Sequence, residues 1–183
     1  MAEYIYFIAS LPYLSIDRES PMSYASFLSL ASEQLSGKDY QTLTKATFDH
    51  EKEKVSSRII SDWDDFNYSL NEYLTEERTK KLGKNDALYR ARCEHNELIH
   101  SKAEAIVKME NPLEAEKAVL GEYFSFLSSH EVNSQFSLDA LIIYGLLLQI
   151  KERVSSFDRE KGREEFDRLY QDIRKDISLR SNL

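Results

Sequence analysis

Apolar residues recur along most of this chain at steps of three and four, the period of helices with one buried face. The clearest stripe is Val55, Ile59, Trp63, Phe66, Leu70, Tyr73 and Leu74, while Asp62, Asp64, Asp65, Glu72, Glu76 and Glu77 mostly fall off it. That spacing predicts a helix from near Glu51 to Leu82, stopped at Gly83 and on the order of 48 Å long. Upstream, Ser23 caps a predicted helix carrying Phe27, Leu28, Leu30, Ala31 and Leu35, with Gly37 just past its end. A short helix from Asp39 uses Tyr40, Leu43 and Ala46. Downstream, Asn85 or Asp86 starts a helix through Leu98, Ile99, Ile106, Val107 and Met109. It ends at Asn111, because Pro112 disfavours helical geometry in the residue before it. "NPLE" then begins afresh, with Asn111 as N-cap, Pro112 at the first helical position and Glu114 at the third. This next helix carries Leu113, Val119, Leu120, Tyr123, Phe124, Phe126 and Leu127 and fades at "SSHEVNSQ".

Two stretches break the one-faced pattern. In "EYIYFIA", residues 3–9, both alternating faces are apolar, so a short buried strand and a buried helical turn both remain open. In "SLDALIIYGLLLQI", Ser137 to Ile150, Ser137 is a helix cap with Asp139 in the first turn. No charge follows from Ala140 to Ile150, and then Lys151, Glu152 and Arg153 come together. At about 100° per residue, Leu141, Ile142, Ile143, Tyr144, Leu146, Leu147 and Leu148 surround the helix axis. A membrane span needs about 20 apolar residues, so the run is too short to cross a bilayer. A helix apolar on every side is one covered on every side. Its cover comes from this chain, with the Tyr144 hydroxyl finding a partner, or in part from another subunit. The helix runs to about Ser155. Asp158 opens the last one, with Phe166, Leu169, Tyr170, Ile173 and Ile177 on one face, and residues 178–183 read as a disordered tail.

The fold class that follows is all-α: a helical bundle over residues 1–183, one domain, with one or two long helices and the N-terminal strand as an open option. Composition agrees. Only 5 Gly and 3 Pro interrupt 183 residues, too few for a protein of strands and tight turns. The formal net charge of −8 argues against nucleic acid and anionic lipid as partners. The basic cluster "ERTKKLGK" (Glu77 to Lys84) reads as a helix C-terminus, where cations complement the macrodipole. A single cysteine, Cys93, fits a reducing compartment. The N-terminus lacks the basic region of a secretory signal, which predicts a cytoplasmic protein.

Catalytic motifs are missing from the sequence. There is no phosphate-cradling glycine loop and no Gly-x-Ser-x-Gly elbow, so no catalytic residue, no cofactor and no specific small molecule is expected. The densest group of ligand-type residues is "CEHNELIH". Cys93, Glu97 and His100 are spaced four and three apart, which places them on one helix face. Glu97-x-x-His100 matches half of a di-iron carboxylate motif, but no second Glu-x-x-His exists. A solvated polar face therefore outweighs a metal site here, and a metal-binding bundle enzyme centred on Glu97 and His100 stands as the alternative.

Three regions together resemble one family: "YIYFIASLPYLS" (Tyr4 to Ser15); "NEYLTEERTKKLGK" (Asn71 to Lys84) with "NPLEAEKAVL" (Asn111 to Leu120); and Phe136 to Leu169, opening "FSLDALIIYGLLLQIKER". They are similar to a small bacterial family encoded in V-type ATPase operons. That family is in turn distantly similar to the cap component of the V-type ATPase, the helical protein that joins the central stalk to the membrane ring. The resemblance implies a non-enzymatic helical subunit or assembly factor that contacts stalk and ring subunits. It would sit in the cytoplasm, peripheral to the membrane through the complex. Lys151, Glu152 and Arg153, where the apolar helix ends, are the partner contacts such a role suggests. The cap is built from three related lobes, more than 183 residues supply. A generic helical adaptor is the plainer alternative.

Overall fold

The computed structural model describes residues 2–48, 57–84, 88–131, 134, 136–157, 162–163 and 168–170. Seven helices are delimited among the described residues: α1 (Ala2–Ser10), α2 (Tyr24–Gln34), α3 (Gly37–Lys45), α4 (Arg58–Lys81), α5 (Glu97–Lys108), α6 (Pro112–Glu131) and α7 (Leu138–Ser156). No strand occurs among those residues. The all-α expectation holds, and the N-terminal stretch resolves as helix. Phe7 is fully buried, and Tyr4, Ile8 and Leu11 pack beside it, whereas Ile5 and Tyr6 face solvent. That stripe at steps of three, one and three is helical. The alternating apolar pattern had no neighbouring strand edge to pair with.

The helices form two groups that meet on α7. Helices α1, α2 and α3 pack as one layer, and α4, α5 and α6 as another. No helix of the first layer touches a helix of the second, but α7 touches every helix except α5. This arrangement is the physical reason for its all-round apolar surface. Leu141, Ile142, Ile143, Leu146, Leu147, Leu148 and Ile150 are all essentially inaccessible. Removing seven aliphatic side chains from water contributes about 1.5–3 kcal/mol each before conformational entropy is counted. The cover comes from this chain, and the Tyr144 hydroxyl donates to the Pro12 carbonyl at 2.9 Å.

Several boundaries differ from the sequence expectation. Gly37 is not a stop: Leu35 ends α2, and Ser36 caps α3 by accepting from the Asp39 amide at 3.2 Å, so Gly37 lies in the first helical turn. Helix α4 starts at Arg58; Val55 and the rest of 51–56 fall outside the described residues. Its far end is as expected. Gly83 has φ 64°, and the Gly83 and Lys84 amides donate to the Lys80 and Thr79 carbonyls at 3.0 and 3.2 Å, closing a Schellman motif. Arg78, Lys80 and Lys81 fill the last turn. The largest correction concerns α5, which begins at Glu97 rather than at Asn85 or Asp86, two residues that lie outside the described set. Asn96 caps it through the Ile99 amide at 3.1 Å. At the next junction the Asn111 side chain accepts from the Leu113 amide at 3.0 Å, as "NPLE" predicts. Of the predicted last helix, residues 162–163 and 168–170 are helical; Phe166, Ile173, Ile177 and the tail 178–183 lie outside the described residues.

Candidate functional site

Residues 89–96 are not helical, and α4 side chains satisfy backbone groups of Ala91, Arg92, Glu94 and Asn96. Glu76 and Glu72 accept from the Ala91 and Arg92 amides, each at 2.8 Å. The Tyr73 hydroxyl donates to the Glu94 carbonyl at 3.3 Å and accepts from the Asn96 amide at 2.9 Å. Cys93 therefore precedes α5 and does not share a helix face with Glu97 and His100. It is half-buried, its sulfur 4.0 Å from the Ser69 carbonyl, and Glu97 is an exposed first-turn residue.

His100 instead joins a cluster on α4. Its Nε2 lies 3.0 Å from Glu77 Oε1, and its ring stacks on Tyr73 with centroids 4.8 Å apart. Glu76, Glu77 and His100 bring ligand atoms within 4.8 Å of one another. Lys80 sits among them, with its ammonium 2.9 Å from Glu76 and 2.7 Å from Glu77. Burial pushes both carboxyls up. Hydrogen bonds outweigh it and hold both below the ordinary glutamate value, from the Ala91 amide and Lys80 to Glu76 and from Lys80 and His100 to Glu77. The same two carboxylates lift the Lys80 pKa well above the usual lysine range. The lysine thus takes the position a bound cation would need. Chemically the cluster is an ion-pair network that clamps α4, α5 and the linker between them, its acids and bases neutralising one another. Sequence spacing alone does not reveal it, because His100 lies 23 residues from Glu77 and the α4 acids resemble a solvated face.

The charged end of α7 turns inward as a three-way clasp. Lys151, only 5% exposed, donates to the Ser15 and Arg18 carbonyls and staples the α1–α2 linker, so it is withdrawn from any partner. Glu152 accepts from the Tyr24 amide at 2.7 Å, adding an anion to the N-terminus of α2. Arg153 pairs with Glu116 of α6 at 3.1 Å and lies over the Phe48 ring at 5.5 Å. Glu152 and Arg153 remain on the surface. Each residue of the clasp reaches a different element, so the end of α7 locks both layers to it.

A different surface is a mainly apolar cleft. The α1–α2 linker, Glu131 at the end of α6, Phe136 and the first half of α7 flank a groove of about 560 Å³. Its walls include Ile8, Leu11, Pro12, Leu14, Ala140 and Tyr144, and Tyr13 and Phe136 stand at its rim, 84% and 51% exposed. Phe136 has φ 69°, a left-handed conformation unusual for a bulky side chain that costs of order 1–3 kcal/mol. Glu131, the last residue of α6, is the one charged residue among the described lining residues. Elsewhere, no described helix is long and apolar enough to cross a membrane. No protein-family model matches the chain, and no curated protein and no solved structure matches it either.

Proposed function

We propose that this protein is a non-enzymatic helical subunit or assembly factor of a V-type rotary ATPase. It acts through protein–protein contacts at the central stalk and membrane ring, on the cytoplasmic face. The observation that supports this reading is a convergence. Two of the segments that resemble the operon-encoded family, Tyr4 to Ser15 and Phe136 to Leu169, meet in the apolar groove. Exposed aromatic rims around an apolar cleft are the features of protein-binding anchors rather than of acid–base chemistry. The mechanism is mechanical: the two helical layers, locked on α7, form a rigid body that presents the groove.

The test is affinity purification of the tagged chain from native membranes, with subunits identified by mass spectrometry. Stalk subunits should accompany it, and Tyr13→Ser with Phe136→Ser should release them. Recovery of the chain alone, with the intact ATPase lacking it, sinks the stalk-cap version and leaves the assembly factor. Absence from assembling complexes as well would sink both.

A further inference from the structure

The groove carries one feature that an apolar docking site does not require. Glu131 lies within an otherwise apolar lining, half-buried. Its carboxylate has no ion pair or hydrogen bond to another described residue, and burial alone acts on its titration. It also sits at the C-terminal end of α6, where the helix dipole opposes a negative charge. An acid there is unfavourable on both counts, and burial pushes its pKa up. Groups placed against the interest of stability are those whose compensation arrives with a ligand.

We infer that the groove receives an amphipathic helix of a partner protein, with a Lys or Arg set beside its apolar anchors to pair with Glu131. The inference rests on the docking reading above and specifies the partner's chemistry. Charge complementarity selects this occupant. A second copy of the chain would bring a surface of net −8 toward a groove whose one charge is already an acid. At about 560 Å³ the cleft has room for two or three apolar side chains, the anchors by which an amphipathic helix docks. Tyr13 and Phe136, both exposed beside the cleft, then form the rim that excludes water from the ion pair.

The test uses the full chain and three synthetic amphipathic helical peptides, identical except for one residue on the border of the apolar face: Lys, Gln or Glu. Binding is read by fluorescence anisotropy. The Lys peptide should bind about tenfold more tightly than the Gln peptide, the ratio of one desolvated charge-assisted contact, and the Glu peptide more weakly still. Glu131→Gln should level the Lys and Gln peptides, and Glu131→Lys should invert the order in favour of the Glu peptide. A charge order that survives in Glu131→Gln, equal binding of all three peptides, or no binding of any overturns the inference. A photo-crosslinking amino acid at position 13 identifies the occupant directly. Cross-links to the Lys peptide support it, whereas cross-links to a second copy or to residues 158–183 of the same chain assign the groove elsewhere. None of these outcomes depends on V-type ATPase subunits. Loss of the peptide preference with retained co-purification refutes this inference alone, and the reverse refutes the ATPase assignment alone.

Discussion

Gly145 sits midway along the buried helix α7, and replacing it by alanine gives opposite predictions from local and tertiary physics. In a helix interior, alanine is favoured over glycine by about 1 kcal/mol. Against that, a Cβ at this position would meet Phe27 Cε1 at 3.2 Å and Tyr24 Cε2 at 3.4 Å. Carbon pairs prefer about 3.5–4.0 Å, so Phe27 would have to retreat by a few tenths of an ångström. It has nowhere to go. Phe27 is fully buried, stacked on Phe7 with centroids 5.9 Å apart and tilted against Tyr144 at 5.3 Å. Overpacking of this kind costs about 1–3 kcal/mol. The new methyl gains little from burial, because the space is already filled. Gly145→Ala should therefore destabilise by about 1 kcal/mol, or roughly 2–4 °C in Tm for a chain of this size. Gly121 in α6 is the internal control, since nothing lies within 4 Å of its would-be Cβ. Gly121→Ala should stabilise by about 1 kcal/mol. Urea unfolding followed through the single tryptophan, the fully buried Trp63, separates the two variants. If both stabilise equally, the contact of α2 with α7 is looser than these distances require and the close-packed α7 axis is wrong.

The Glu76–Glu77–Lys80–His100 network predicts acid sensitivity. Because the folded pKa of Glu77 is held below its ordinary value of 4.5, its contribution is present above that pH and lost as pH falls through the folded value. Glu77→Gln should then flatten the acid limb of the stability curve measured by circular dichroism, and an unchanged limb would refute the pairing. Glu131 has the opposite sign. Burial raises its folded pKa, so its ionised form weakens the fold at neutral pH, and Glu131→Gln should raise Tm at pH 7; a lower Tm would show that the carboxylate has a partner. Chelator dialysis should leave Tm unchanged, because Lys80 fills the cation position between Glu76 and Glu77; a drop restored by zinc, iron or manganese would contradict this.

Chemistry that acts within a few residues is what the sequence made legible. The α7 core helix, the Gly83 stop and the Asn111-Pro112 start follow from periodicity and capping alone. Tertiary partners decided the rest. Residues 89–96 contain no glycine or proline, yet they are not helical, and carboxylates of Glu76 and Glu72 take up the Ala91 and Arg92 amides. That one substitution of partners also separates Cys93 from the Glu97 and His100 face. The α4 acids fall off the apolar stripe as solvated residues would; Lys80 pairs with Glu76 and Glu77 within α4 itself, and the approach of α5 adds His100 to Glu77. The docking groove was the least legible element. Its walls come from two segments far apart in the chain, Ile8 to Leu14 and Glu131 to Tyr144, and its acid, Glu131, lies in a stretch that reads as a fading helix end. Lys151, Glu152 and Arg153 do mark a charged boundary, but the chain uses all three for internal contacts.

The claim that this groove is a docking surface of the rotary ATPase is tested most directly by cross-linking in the cell. A photo-crosslinking amino acid in place of Tyr13, activated in the native organism, should form covalent adducts with a central-stalk or membrane-ring subunit, and Glu131→Lys should abolish them. Adducts confined to proteins outside the ATPase, or adducts with a stalk subunit that persist unchanged in Glu131→Lys, would contradict it.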